Sequence, residues 1–168
     1  MADSTATGAV KENTCTITFK NQKHREFYTE YLQKCRYHDA YHKALVYCLG
    51  IDSDTRENVD RIYDFKTGYV KSKCLQEGWQ TSGSMRIVRM AFNLYCNGTP
   101  SVFDITDAED QLKECQCYTV EELFCCGYAR YFWEAVKIRY PDECNYIDWE
   151  DMYVKDQATG NNQGYSMV

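Results

Sequence analysis

The sequence has few helix breakers and no long apolar run. Only 2 of its 168 residues are proline. Proline lacks the backbone N–H donor that a helix interior needs, so this sequence permits long uninterrupted helices. No stretch of about 18 apolar residues is present, and the pattern of a transmembrane helix is therefore lacking. The first residues, MADSTATGAVKENT, also lack the charged start and apolar run of a secretory signal. We therefore expect a cytoplasmic protein without membrane contact.

Common catalytic and metal-binding motifs are also missing. The sequence has no Cys-x-x-Cys pair, no His-Glu-x-x-His and no Gly-Lys-Ser/Thr end of a phosphate-binding loop. Its three histidines, His24, His38 and His42, all lie in the first quarter of the chain, and no carboxylate spacing marks an acid–base pair. We therefore predict that the protein is not an enzyme, with a small thiol- or histidine-dependent enzyme as an alternative.

What the sequence does have is material for a packed core. Apolar residues make up 44% of the chain, and the aromatic share of 15% includes 15 tyrosines. This composition is too apolar for a disordered protein, and the length suits one domain. We predict a flexible leader over residues 1–13, a single helical domain over residues 14–153 and a polar tail over residues 154–168.

Ten cysteines are present, but their setting does not favour disulfides. Without an export signal, cysteines are usually reduced and behave as small buried hydrophobes or as metal ligands. Five of them lie among apolar neighbours in predicted helices, namely Cys35, Cys48, Cys96, Cys125 and Cys126. We therefore expect free thiols.

The apolar spacing predicts a mainly α fold, a single compact domain of about six helices. One short β-prone run, Cys15–Phe19, allows at most an N-terminal strand or hairpin. Thr119 and Glu122 have the spacing of a capping box, which predicts one long helix from there to Pro141. The stretches with helical spacing are 22–35, 37–49, 55–64, 84–96, 107–115 and 119–140, with a shorter one around 70–77.

A zinc site is one hypothesis for the first part of the chain. If a helix continued through residues 35–48, Cys35, His38 and His42 would share one face, because positions i, i+3 and i+7 stack. Thiolate and imidazole are suitable ligands for Zn²⁺, although a fourth ligand would have to come from elsewhere. The alternative is that Cys35 lies in the core and both histidines make ordinary hydrogen bonds.

A second hypothesis concerns the loop Gly78–Gly83, which leads into the helix predicted from residue 84. Small residues before a helix N-terminus can hold an anion with their free N–H groups, and Arg86 and Arg89 follow one turn later. The alternative is that Ser82 or Ser84 caps the helix and Trp79 packs beneath it.

Charge is distributed unevenly along the chain. Residues 1–103 carry 14 basic and 11 acidic side chains, whereas residues 104–168 carry 5 basic and 14 acidic side chains. The last third therefore has the larger negative field, which would attract a basic partner and repel nucleic acid. The alternative is an acidic surface that only maintains solubility.

The segment Asp142–Tyr153 combines this negative charge with large apolar side chains. Aromatic residues anchor interfaces because they bury a large area with few rotatable bonds, and carboxylates around them select a basic partner. The alternative is that the aromatic side chains pack inward and the acids face water. The predicted partner-binding residues are Tyr146, Asp148, Trp149, Glu150, Asp151 and Tyr153.

Three stretches of the chain are similar to a known group of proteins. YHKALVYCLGI (41–51), GWQTSGSMRIVRMAFNLYCNG (78–98) and ELFCCGYARYFWEAVKIRYP (122–141) resemble an uncharacterised family of small acidic proteins from mobile elements of Gram-positive bacteria. The resemblance covers most of residues 15–141 and implies no catalytic residues. It implies a context in which small acidic proteins often inhibit host defence, including anti-CRISPR proteins that bind a Cas effector.

These observations together predict a non-enzymatic inhibitor or binding protein. Its acidic, aromatic-containing surface would occupy a basic nucleic-acid-binding face of a protein partner, such as a CRISPR effector nuclease, without binding nucleic acid itself. The alternatives are a structural or interaction protein braced by zinc and a small enzyme. No other cofactor is expected.

Overall fold

The computed structural model describes residues 16–144. The predicted leader (1–13) and polar tail (154–168) therefore lie outside the described residues. The same is true of the predicted partner-binding residues, which are Tyr146, Asp148, Trp149, Glu150, Asp151 and Tyr153.

The first two helices begin at side-chain caps. Helix α1 (Gln22–Lys34) starts after Asn21, whose side chain accepts a hydrogen bond from the His24 N–H at 2.9 Å. Helix α2 (Ala40–Leu49) starts after Asp39, whose carboxylate accepts from the His42 N–H at 2.9 Å. Such caps satisfy backbone donors that a helix N-terminus leaves free. Because residues 35–39 are not helical, α1 and α2 are separate helices.

The stretch 55–64, predicted as one helix, is instead three short elements. They are helix α3 (Ser53–Glu57), helix α4 (Val59–Ile62) and strand β1 (Tyr63–Asp64). Strand β1 pairs antiparallel with β2 (Tyr69–Val70). The turn between the strands includes Gly68 at φ +78°, a conformation that glycine adopts without strain. A 3₁₀ helix, η1 (Ser72–Gln76), follows where a short helix was predicted.

The hairpin is therefore in the middle of the chain rather than near its N-terminus. Residues 16–19, the described part of the β-prone run, form no strand. Their backbone pairs with side chains instead, since the Thr18 N–H donates to Glu134 Oε1 at 3.2 Å and the Thr18 carbonyl accepts from the Tyr47 hydroxyl at 2.5 Å. Ile17 and Phe19 pack against the helical core.

The second half of the described chain is helical. Its elements are helix α5 (Ser82–Cys96), 3₁₀ helix η2 (Pro100–Asp104), and helices α6 (Ala108–Gln116), α7 (Val120–Phe124), α8 (Ala129–Arg139) and α9 (Pro141–Cys144).

The predicted single helix 119–140 is wrong because the chain leaves helical geometry between α7 and α8. Gly127, which costs roughly 1 kcal/mol in a helix interior, lies in this break. The break also lets the Tyr128 hydroxyl donate to Asp52 Oδ2 at 2.8 Å. At the start of α7, the Thr119 hydroxyl accepts from the Glu122 N–H at 3.4 Å, as the capping motif predicts. Pro141 begins α9, and proline suits the first position of a helix.

The core is built around α2. Each residue from Ala44 to Leu49 is at most 1% exposed, and α2 packs against α1, α5 and α8. The prediction of a mainly α, single compact domain is confirmed. Within residues 16–144, no helix has the length and apolarity needed to cross a membrane, and the nine cysteines are free thiols.

A buried histidine joins α1 to the end of α2. His24 is fully buried, its Nε2–H donates to the Tyr47 carbonyl at 2.8 Å, and its Nδ1 accepts from the Lys20 N–H at 3.2 Å. Burial lowers the pKa of His24 to about 4, so the ring is neutral at physiological pH. The ring lies against Gly50, where an added Cβ would come within 2.5 Å of His24 Cδ2.

Candidate protein-interaction surface

The clearest concentration of negative charge in the described chain lies between Phe103 and Glu122. This stretch, which we call the α6 face, holds seven carboxylates and one lysine. It comprises the end of η2, α6 and the start of α7. Six of its carboxylates belong to exposed residues, namely Asp104, Asp107, Glu109, Asp110, Glu121 and Glu122.

Helix α6 is displayed rather than packed. None of its nine residues, all within the described part of the chain, is buried. Most helices in proteins are stabilised by an apolar face packed on the core, and α6 lacks one. Its N-terminus is capped by Asp107, whose carboxylate accepts from the Glu109 and Asp110 N–H groups at 3.0 Å each.

A polar network attaches α6 to the rest of the fold. The Arg89 guanidinium donates two hydrogen bonds to Glu114, at 3.0 and 2.9 Å, and both side chains are at most 15% exposed. The Ser101 hydroxyl donates to Glu114 at 2.8 Å and lies 2.8 Å from the Tyr118 hydroxyl. Burial raises the pKa of Tyr118 to about 12, so its hydroxyl stays protonated. Paired charge-assisted bonds of this kind fix orientation as well as distance.

Large apolar side chains of the same stretch are also exposed. Phe103 is 87% exposed, Leu112 is 65% exposed and Val120 is 74% exposed. Single exposed apolar residues are common, but three along one short stretch that is otherwise acidic are the arrangement expected of an interface. The α6 face therefore combines exposed apolar side chains with exposed carboxylates.

The carboxylates beyond residue 103 do not form one uniform negative surface. Glu114 and Glu134 point inward, and Glu134 is only 5% exposed and lies 2.6 Å from Lys137 Nζ. On the surface, Lys113 Nζ is 3.1 Å from Glu109 and 3.3 Å from Asp110, and hydrogen bonds to Glu109 and Asp110 raise the pKa of Lys113. Exposed pairs such as these contribute about 0–1 kcal/mol. They leave most of the negative field of the α6 face available to a partner.

The structure places the predicted zinc ligands in three different settings. Cys35 is buried at the end of α1, His38 is exposed in the connection to α2, and His42 is buried in the first turn of α2. The helix that would have aligned them ends before residue 38. Within residues 16–144, no three or more His, Cys, Asp or Glu side chains are grouped to hold a metal ion, so the described geometry gives the zinc hypothesis no support.

His42 instead takes part in a chain of hydrogen bonds. Its Nδ1 lies 2.8 Å from Asp39 Oδ1, and its Nε2 lies 3.4 Å from the Tyr95 hydroxyl, which is 3.1 Å from the Tyr63 hydroxyl. Although burial opposes it, hydrogen bonds from His42 lower the pKa of Asp39. An Asp–His pair can move protons in an enzyme, but His42 is only 6% exposed. The arrangement joins α2 to α5 and the hairpin.

The three buried thiols give the enzyme alternative little support. Burial raises the pKa of Cys35 to about 11 and that of Cys74 to about 12, and burial also raises the pKa of Cys48. A nucleophilic cysteine needs a lowered pKa, because the thiolate is the reactive form. These three cysteines are therefore core residues.

The predicted anion loop is also occupied by the protein's own groups. Thr81, rather than Ser82 or Ser84, caps α5, and its hydroxyl accepts from the Ser84 N–H at 3.1 Å while the Ser84 hydroxyl accepts from the Thr81 N–H at 2.8 Å. This reciprocal pair is a capping box. Arg86 lies 3.5 Å from Glu122, and Arg89 binds Glu114.

A polar cleft of about 590 Å³ lies beside the hairpin, between α4 and η2. Positive side chains (Arg61, Lys71, Lys73) and negative ones (Asp60, Glu77, Asp104) both line it. Arg61 is already 2.8 Å from Glu77. Because both signs of charge are present, the cleft does not select one class of charged ligand.

Sequence reasoning identified the acidic bias of the last third but missed the residues that form the α6 face. Phe103, Leu112 and Val120 were not singled out. A signal was available, because AEDQLKECQ contains one large aliphatic residue among polar ones, which is typical of a helix that does not pack on a core. The polar cleft had no sequence signal.

The comparisons with known proteins give a family but no function. A family model described as a family of unknown function (DUF6075) matches residues 14–152, which is most of the chain. No curated protein and no solved structure matches the sequence. The resemblance to an uncharacterised family is therefore confirmed.

Proposed function

The chain belongs to the DUF6075 family of unknown function, and we propose that it is a non-enzymatic binding protein. The α6 face contacts a protein partner whose own surface is basic and has apolar recesses. The observation that carries this proposal is a helix without buried residues, α6, in a stretch of chain where Phe103, Leu112 and Val120 are exposed together with six carboxylates.

The chemistry of the face selects the class of partner. Phe103, Leu112 and Val120 supply apolar area, which drives association when it is removed from water at about 25 cal/mol per Å². The carboxylates of the face would orient the partner and raise the association rate, and would add less to the affinity. Lysine and arginine side chains on the partner would pair with them, whereas phosphate groups would be repelled. A basic protein surface therefore fits better than nucleic acid.

A narrower form of the proposal concerns which basic surface is bound. Nucleic-acid-binding proteins present tracks of lysine and arginine to phosphate groups, and carboxylates spaced along a displayed helix can occupy such a track. In this form the protein acts in the cytoplasm as an inhibitor of a nuclease of host defence, such as a CRISPR effector. Support comes from charge and from the resemblance to proteins of mobile elements.

The test is a binding experiment with the full chain as bait. The wild type and the triple variant Phe103→Ala, Leu112→Ala, Val120→Ala are incubated with purified CRISPR effector nucleases and with bacterial lysate. A matched control replaces two exposed aromatic residues elsewhere, Tyr69→Ala and Trp133→Ala. We expect the wild type and the control to retain a basic protein that the triple variant loses.

Salt and nucleic acid extend the same experiment. Binding should weaken as NaCl rises from about 0.1 to 1 M, because the screening length falls from about 10 to about 3 Å. Excess DNA or RNA should displace the protein if a nucleic-acid-binding face is occupied. Equal retention by the triple variant, or binding unchanged at 1 M NaCl, would contradict the proposal. Failure of displacement alone would contradict only the narrower form.

A further inference from the structure

Two adjacent cysteines lie in the break between α7 and α8. Cys125 and Cys126 are the only directly consecutive cysteines in the sequence. The apolar spacing predicted them inside one helix, but α7 ends at Phe124 and α8 begins at Ala129. Both are free thiols, Cys125 is exposed, and Cys126 is half-buried against the core. The pair therefore has one sulfur that a reagent in solution can reach and a second sulfur on the next residue.

The other described cysteines lack this combination. Cys96 and Cys144 are not adjacent to another cysteine in the sequence. Cys115 and Cys117 are two positions apart at the end of α6, and such positions do not face each other on a helix. The remaining three are buried, and burial raises the pKa of each thiol, namely Cys35, Cys48 and Cys74.

The backbone around the pair can change shape at small cost in packing. The Cys126 N–H donates to the Phe124 carbonyl at 2.8 Å, and the Cys126 thiol donates to the Leu123 carbonyl at 3.2 Å. Gly127 follows and is exposed. A Cβ added to Gly127 would have no heavy atom of the described residues within 4 Å, apart from its chain neighbours. This turn is therefore less restricted by its surroundings than the helices on either side.

We propose that Cys125 and Cys126 form a redox-responsive pair that is oxidised by low-molecular-weight disulfides, such as glutathione disulfide. The Cys125 thiolate attacks one sulfur of that disulfide, which gives a mixed disulfide and releases one thiol. The Cys126 thiolate then attacks the Cys125 sulfur, closes a disulfide between the two residues and releases the second thiol. The pair thus loses two electrons and two protons, and the glutathione disulfide gains them.

The geometry makes the closed form reversible rather than a permanent crosslink. Consecutive Cα atoms across a trans peptide are about 3.8 Å apart, whereas bridged cysteines usually have Cα atoms about 4.4–6.8 Å apart. Ring closure therefore requires the turn to change shape and to break the bond from the Cys126 thiol to the Leu123 carbonyl. A disulfide that stores strain is more easily reduced. The pair is accordingly reduced under ordinary reducing conditions and closes when low-molecular-weight disulfides accumulate.

This inference goes beyond the proposed function and does not depend on it. The α6 face ends at Glu122, and its binding test uses variants at three other positions. Either proposal can therefore fail while the other holds.

Mass spectrometry of the full chain tests the redox pair. The reduced protein is exposed to glutathione disulfide, the remaining thiols are alkylated, and trypsin with a glutamyl endopeptidase releases residues 123–130, LFCCGYAR. We expect this peptide to carry no alkyl label and to be lighter than the reduced peptide by two hydrogens. Excess reduced glutathione, added before alkylation, should restore both labels. Retention of both labels, or a disulfide from either cysteine to a different residue of the chain, would overturn the proposal.

Serine variants separate ring closure from simple thiol reactivity. Cys126→Ser keeps the exposed sulfur but cannot close the ring, so we expect residues 123–130 to accumulate as the mixed disulfide with glutathione. In Cys125→Ser the half-buried sulfur should keep its alkyl label. Cys115→Ser, at another exposed position, is the matched control and should close the ring as the wild type does. Far-UV circular dichroism checks that each variant is folded. A wild type that stops at the mixed disulfide, as Cys126→Ser does, would also overturn the proposal.

Discussion

Helices α2 and α6 have similar lengths, 10 and 9 residues, and are held in opposite ways. Seven residues of α2 are buried, and apolar packing surrounds it. Helix α6, entirely within the described chain, buries none and depends on the Arg89–Glu114 pair with Ser101. Apolar packing holds α2 at the centre of the fold, whereas a few hydrogen bonds and one ion pair hold α6 at the surface. A helix held in that way can present the side opposite Glu114 to a partner.

A large loss of stability is expected from filling space at the end of α2. In Gly50→Ala the new Cβ would lie 2.5 Å from His24 Cδ2 and 3.0 Å from Phe27 Cδ1. Overpacking of a tight core costs about 1–3 kcal/mol, and the buried ring cannot move without losing its bond to Tyr47. We expect a loss near the upper end of that range, measured by urea unfolding. Gly98→Ala is the control, because no heavy atom of the described residues lies within 4 Å of its added Cβ. Equal stability of the two variants would contradict this account of the core.

The next largest effect is a loss of folding stability in acid, through protonation of His24 between α1 and α2. Folding lowers the pKa of His24 from 6.5 to about 4, so between those values the unfolded chain binds more protons than the folded one. The contribution of the neutral His24 ring to the free energy of unfolding is therefore complete above pH 6.5 and declines as pH falls toward 4. Its size is about 3 kcal/mol at most, from 1.36 kcal/mol per pKa unit.

The comparison that isolates this contribution is with His24→Gln. Unfolding free energies of the wild type and this variant, measured from pH 7 to pH 4.5, should converge as pH falls. His38→Gln, at an exposed position, should keep the wild-type pH dependence. A constant difference between the wild type and His24→Gln across this range would mean that the ring is not held neutral by burial.

Removing the anchor of α6 should have a local effect. Arg89→Ala leaves Glu114 without its charged partner, and loss of one member of a largely buried pair costs about 3–5 kcal/mol when burial is complete. At 13% and 15% exposure we expect about 2 kcal/mol. Hydrogen exchange should accelerate in α6 while α2 stays protected, because regions with few apolar contacts open independently. Lys113→Ala, which removes only exposed pairs, is the control. Uniform loss of protection in both helices would show that α6 is integral to the core.

The sequence was most informative where local chemistry decides the structure. The helical stretch 22–35, which contains α1, and the start of a helix after Thr119 were both predicted from residue type and spacing. The break after α7 was missed because apolar spacing continues through it, and the deciding bond joins Tyr128 to Asp52, 76 residues away.

In the candidate site, too, local features could be predicted from the sequence and features that depend on distant contacts could not. The excess of carboxylates after residue 103 is visible in the sequence, but which of them face solvent is not. Glu114 and Glu109 belong to the same helix, and Glu114 faces inward because it binds Arg89 and Ser101, neither of which is in that helix. The exposure of Phe103 likewise depends on how η2 packs on its neighbours, which local residue preferences do not specify.

The smallest expected effect on stability is at Leu112. Leu45 in α2 is fully buried and Leu112 in α6 is 65% exposed, so the same change to alanine tests the contrast between the helices directly. Leu45→Ala should cost about 2–5 kcal/mol because it leaves a cavity, whereas Leu112→Ala should stay within about 0.5 kcal/mol, as surface changes usually do. Thermal unfolding measures both. A loss above about 1 kcal/mol at Leu112 would mean that this side chain stabilises the fold. Its exposure would then no longer support a contact with a partner. A stable Leu112→Ala variant that binds the partner less well would show that the exposed Leu112 side chain contributes to binding rather than to folding.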